Sequence, residues 1–216
     1  MEKMKLFAGI LVFGSLWGFA ECFIGSLLRD NGLPAGAIMT SVFAIGLMTL
    51  SRVVFRQPGM QAGMGLVAGA LRLFNPFGGC FLCSAIAIMA EGVLFDVIWT
   101  VFALDVKKTQ TLTIQTSLGI TATYIVYVGG YFVTQILTPV FSTAGFHLQD
   151  FLGFIPNILA SGLLAALIGA VTVPVLFNLT TLDVRLKDHL YYPVTLGISA
   201  FCWFAVIVNM VIILWF

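Results

Sequence analysis

The chain has 216 residues, of which 60% are hydrophobic and 9% charged, with a mean hydropathy of +1.08 and a formal net charge of +1. Soluble domains carry about a quarter charged residues, so this composition excludes a water-soluble domain. The near-neutral charge forms no basic stripe and gives no support to nucleic-acid binding.

Seven hydrophobic segments are predicted, at about 6–28, 34–55, 59–75, 79–104, 113–140, 151–179 and 193–215. Their apolar runs are continuous, where barrel strands would alternate, so each is read as a helix that satisfies its own backbone hydrogen bonds. The first segment is too long, and too clearly followed by others, for a cleaved signal peptide. The third is short and glycine-rich and stops at Asn75-Pro76-Phe77-Gly78-Gly79. Proline cannot continue helical hydrogen bonding and glycine permits sharp turns, so segments three and four are expected to form a tight or partly re-entrant hairpin. The expected architecture is an all-α polytopic bundle of about seven spans. It is read as one transmembrane domain over 1–216, with a core over 1–180 and an additional span over 193–216.

Eight of the ten Lys and Arg fall on one side of this arrangement: Lys3, Lys5, Arg52, Arg56, Lys107, Lys108, Arg185 and Lys187. Arg29 and Arg72 fall on the other. The positive-inside rule then places the N-terminus in the cytoplasm and the C-terminus outside, in a cell inner or plasma membrane. The longest external loop, about 141–150, carries His147, Gln149 and Asp150.

Ionisable groups within a bilayer cost several kcal/mol unless paired or hydrated, so each is a functional candidate. Four are predicted inside spans: Glu21, Arg72, Glu91 and Asp96. At about 1.5 Å per residue, Glu21 and Arg72 lie in the outer third and Glu91 near the midplane. The functional reading is a polar pocket opening outward, with Arg72 facing an anionic group or pairing with Glu21. The competing reading is a buried ion pair that fixes helix register. Asp96, about 140° round the helix from Glu91, suits a supporting or cytoplasm-facing role. Asn75 and Asn157 are further candidates for hydrogen-bonding a solute, although Asn also serves routinely in caps and turns. Ala20-Glu21 is echoed by Ala90-Glu91 in a helix of opposite direction, a faint trace of the inverted repeats of transporters.

Gly14 and Gly18 on the first helix, and Ala62, Gly65 and Gly69 on the third, let helices approach closely. Such faces serve packing within a chain or docking of another subunit. Cys80 and Cys83 form a CxxC at the outer end of the fourth segment, with Cys22 at similar depth. They are candidates for a redox pair or metal site. No GxSxG, HExxH or P-loop pattern occurs, so neither an enzyme nor a cofactor is expected.

The stretch Gly14-Ser15-Leu16-Trp17-Gly18-Phe19-Ala20-Glu21, the segment Gly63 to Arg72 and the turn Asn75 to Gly79 resemble the substrate-binding S-components of energy-coupling-factor transporters. The resemblance covers segments one to six in architecture and texture. It implies a six-helix core that binds a vitamin or similar small solute from outside, external loops covering the ligand, and Gly14 and Gly18 docking on a membrane coupling subunit driven by separate ATPases. The seventh segment departs from that pattern, and the Met-His start of the cobalt and nickel members is missing. Two other functions remain open on the residues: a membrane thiol oxidoreductase using Cys80 and Cys83, and an assembly subunit with no ligand.

Overall fold

The computed structural model describes residues 2–75, 81–101, 111–141, 148–179 and 188–215. The expected all-α polytopic bundle is what it contains. The elements are α1 (Glu2–Asp30), α2 (Ala35–Ile38), a π-helical stretch (Met39–Ala44), α3 (Ile45–Phe55), α4 (Met60–Leu73), α5 (Phe81–Val101), α6 (Leu112–Phe141), α7 (Leu148–Leu179) and α8 (Asp188–Trp215). Among the described residues, six helical stretches are long and apolar enough to cross a membrane, with Ala35–Phe55 counting as one.

The expected third span differs from the others. α4 has 14 residues, roughly 21 Å of helix, against about 30 Å of hydrocarbon. It is an inner strut, wedged between α1 and α5, rather than a full crossing. α4 runs alongside α1 in the same direction: Gly63 faces Ile10, Val67 faces Gly14, and Leu71 faces Gly18. Against α5 it runs in the opposite direction, from Gly65 beside Gly92 to Gly69 beside Ala85 and Met89. The end of the bundle reached by the C-terminus of α1 is called outer below, following the distribution of Lys and Arg.

These close approaches reassign the small-residue face of α1. A Cβ on Gly14 would lie 2.8 Å from the Met64 carbonyl oxygen, and one on Gly18 would lie 2.9 Å from that of Ala68. Both glycines are therefore occupied by α4, and the expected docking of another subunit on Gly14 and Gly18 is not available on that face. Small residues permit backbone approach wherever two helices meet, and here the second helix belongs to the same chain.

Both ends of α4 are tied by side chains from its neighbours. At the inner end, Asp96 of α5 accepts from the N–H groups of Gly59 (2.6 Å) and Ala62 (3.4 Å). A helix start leaves backbone donors unsatisfied, so Asp96 caps α4 from across the interface. Arg52 of α3 pairs with Asp96 at 3.4 Å and donates to the Gln57 carbonyl and to Gln61 Oε1. At the outer end, Arg72 donates to the Asn75 carbonyl (2.8 Å) and to Ser84 Oγ (3.2 Å). Asn75 Nδ2 in turn donates to the Cys22 carbonyl (3.0 Å).

The apolar core fills the space around these ties with Trp17, Met48, Met64, Ile88, Phe95 and Trp99, all buried. α8 lies on the flank of α1. Trp203 donates from Nε1 to Ser15 Oγ at 3.1 Å, and the Tyr191 hydroxyl donates to the Lys5 carbonyl at 3.0 Å. Only 17% of its apolar stretch is buried, against 39–56% in the other spans.

Candidate functional site

Five elements converge on a cavity of about 280 Å³. α1 contributes Glu21, Gly25 and Arg29; α2 and the π-helical stretch contribute Gly36, Met39 and Thr40; α5 contributes Cys83, Ser84 and Glu91; α6 contributes Tyr131, Thr134 and Gln135. Each comes from the outer half of its helix. Glu91 lies roughly 15 Å along α5 from its start at Phe81, so the floor lies deep while Arg29, in the last turn of α1, is exposed at the rim.

The local sequence explains the wall. π-Helical turns widen the helix by one residue and recur at functional sites. Here the π-helical stretch carries Thr40, whose hydroxyl donates to Glu91 Oε1 at 2.7 Å. On the opposite side the Tyr131 hydroxyl lies 2.7 Å from where a Cβ on Gly36 would stand, so the missing side chain at Gly36 lets the phenol close against α2. Tyr127 supports Tyr131 from behind, with ring centroids 4.8 Å apart. Glu21 Oε1 accepts from Trp17 Nε1 at 3.3 Å, one turn back on the same helix. Thr134 donates to the Gly130 carbonyl at 2.8 Å, which holds its side chain against α6.

The two carboxylates are treated differently by their surroundings. Glu21 lies in the field of two cations, Arg72 and Arg29. The charged group acting on Glu91 is Glu21, which has the same sign. Glu91 is 4% exposed and its hydrogen bond among the described residues is the one from Thr40.

Of the candidates expected from sequence, Glu21 and Glu91 line the cavity. Arg72 does not line it; fully buried, it stands behind Ser84 and bonds to that wall residue. Asn75 joins α4 to α1, lining a separate outer crevice with Cys22, Ser26 and Asn209. Asn157 is exposed on the outside of α7, away from the cavity. Asp96 belongs to the inner ties of α4. Thr40, Ser84, Tyr131, Thr134 and Gln135 were not singled out in the sequence. Isolated hydroxyls and amides in apolar helices carry no spacing signal, and the π-helical turn that aims Thr40 has none either.

Cys83 lines the cavity and is disulfide-bonded, whereas Cys22 and Cys202 are free and buried. Cys80 lies outside the described residues, as do His147 and the turn 76–79. Among the described residues no group of three or more His, Cys, Asp or Glu is placed to hold a metal ion. A larger groove of about 700 Å³ between α3 and α7 is lined by Val42, Leu47, Leu50, Leu167, Val171 and Leu176, with Thr172 as its polar contribution. Such a surface suits lipid tails, and it offers none of the convergent polar groups that mark a solute site. No family model matches the chain, and neither a curated protein nor a solved structure is found to be similar to it.

Proposed function

We propose that the chain is a solute-binding membrane subunit of an uptake system, taking a small molecule from outside into the cavity between α1, α2, α5 and α6. The observation that carries this reading is a polar cavity whose floor is formed by Glu21 and Glu91 within otherwise apolar spans. Carboxylates are expensive in that setting and are kept where they meet a partner, water or a substrate. At about 280 Å³ the cavity is at the small end of ligand sites, suited to a metabolite rather than a large cofactor. The resemblance to S-components assigns energy coupling to a separate membrane subunit and ATPases, in keeping with the lack of a P-loop in this chain.

Two measurements test the reading. A Gln135→Cys variant should react with a membrane-impermeant maleimide added outside the cell, because Gln135 lines the cavity. Native mass spectrometry of gently extracted protein should detect a bound small molecule that Ala87→Phe, which fills the cavity, displaces. Labelling from the cytoplasmic side alone, or a species bound equally by the filled variant, counts against it, and the chain would then be an assembly subunit. A second reading rests on the disulfide at Cys83 beside the cavity: the chain would be a membrane thiol oxidoreductase that accepts electrons from an external dithiol. Loss of dithiol oxidation in Cys83→Ser membranes, with solute binding unchanged, would favour it.

A further inference from the structure

The charge balance of the cavity assigns the class of solute, an inference that rests on the cavity being the binding site. Two carboxylates reach its floor, Glu21 and Glu91. The cations near them are Arg72, behind the Ser84 wall, and Arg29, at the exposed rim, and both act on Glu21. Among the described residues, no cation acts on Glu91 in this way. It is held by the Thr40 hydroxyl on Oε1, is 96% shielded from solvent, and lines the cavity. Tyr131 also lines the cavity, its ring packed at a tilt against that of Tyr127.

A buried carboxylate is stable when a cation sits beside it, and an aromatic face adds attraction for a positively charged nitrogen. An anionic solute would meet Glu91 and Glu21 at close range, and the two nearby cations, Arg72 behind the Ser84 wall and Arg29 at the rim, both already act on Glu21. With an uncharged solute Glu91 would have to take up a proton to remain buried without a counter-charge. We propose that the cavity takes a small solute carrying a positive nitrogen, a primary or quaternary ammonium or an amidinium. Glu91 is its counter-ion, Tyr131 is its aromatic wall, and Thr40 orients the carboxylate. Ser84, Thr134 and Gln135 would then read the rest of the solute by hydrogen bonds.

The full chain in lipid nanodiscs should be titrated with three probes of matched size, n-butylammonium, n-butanol and n-butyrate, with tryptophan fluorescence as the readout. Trp17 is bonded to Glu21 and reports directly on the floor. Butylammonium should bind, and the other two should bind about tenfold more weakly or worse. Glu91→Gln keeps the shape of the side chain and removes its charge, so it should abolish the preference for the cation. Equal binding of the three probes, or a preference unchanged in Glu91→Gln, overturns the assignment. Glu91→Asp should retain selectivity at lower affinity, which guards against a folding defect being read as loss of charge. The maleimide reaction at Gln135→Cys separates the two failures. Labelling from outside together with absent cation selectivity overturns the charge assignment alone, whereas a cavity closed to the outside removes the binding site itself.

Discussion

Both ends of α4 are surrounded by buried ionisable side chains, yet the two groups are built differently. At the inner end the charges balance within the chain: Arg52 meets Asp96 at 3.4 Å, and the remaining polar atoms bond to Gln57, Gln61, Gly59 and Ala62. Toward the outer end the compensation is uneven: Arg72 and Arg29 both act on Glu21, while Glu91 faces a cavity with the Thr40 hydroxyl as its hydrogen-bond donor and a like charge as neighbour. A buried charge whose counterpart is in the same chain fixes the packing of helices. A buried charge left short of its counterpart, beside an open volume, is where we propose that a solute sits. Both regions combine arginines with carboxylates, so residue type does not separate them; the difference lies in the partners.

That contrast can be broken by mutation, and the largest effect belongs to the balanced end. Asp96→Ala leaves Arg52 without its carboxylate and removes the acceptor of two N–H groups at the start of α4, those of Gly59 and Ala62. Removing one partner of a buried pair costs about 3–5 kcal/mol, and thermal unfolding in detergent should show it as a loss of the folded population. Glu91→Gln, by contrast, keeps an Oε1 acceptor for the Thr40 hydroxyl and should cost no more than about 1 kcal/mol, while cation binding disappears. If the two substitutions destabilise equally, the outer carboxylate is a packing device and the contrast fails.

Gly18→Leu drives a side chain into the backbone of α4 at Ala68. It should cost about 1–3 kcal/mol by overpacking, read in the same unfolding measurement, and would be harmless if that face of α1 were open to a separate subunit. Trp203→Phe removes the bond from α8 to Ser15. A side-chain hydrogen bond between membrane helices averages about 0.6 kcal/mol, so this variant should loosen α8 slightly and leave probe binding as in the parent. Asn157→Ala, exposed on α7, should change neither quantity by more than about 0.5 kcal/mol. A loss of binding there would mean that the outer rim reaches farther than the cavity lining.

The apolar runs made the helices legible because a bilayer penalises any other backbone arrangement. The described helical residues of α5, Phe81–Val101, fall within the expected 79–104, and α7 is helical from Leu148 to Leu179 across the expected 151–179. Glu21 and Glu91 were legible as candidates because charge inside a span is rare. Arg72 and Asn75 carried the same signal and yet face the wall and the α1–α4 joint rather than the cavity. Gly14 and Gly18 announced a close approach without naming the helix that makes it.

What the sequence determined by itself, then, was everything that depends on a residue's transfer from water to lipid: membrane residence, helical spans, and the short list of buried charges worth attention. Pairing was decided in three dimensions. Asp96 finds Arg52 across 44 positions of chain and Thr40 finds Glu91 across 51, because helix packing brings distant turns to one depth. Electrostatic compensation falls off over a few ångströms, so only that packing decides which carboxylate is satisfied and which is left facing a cavity.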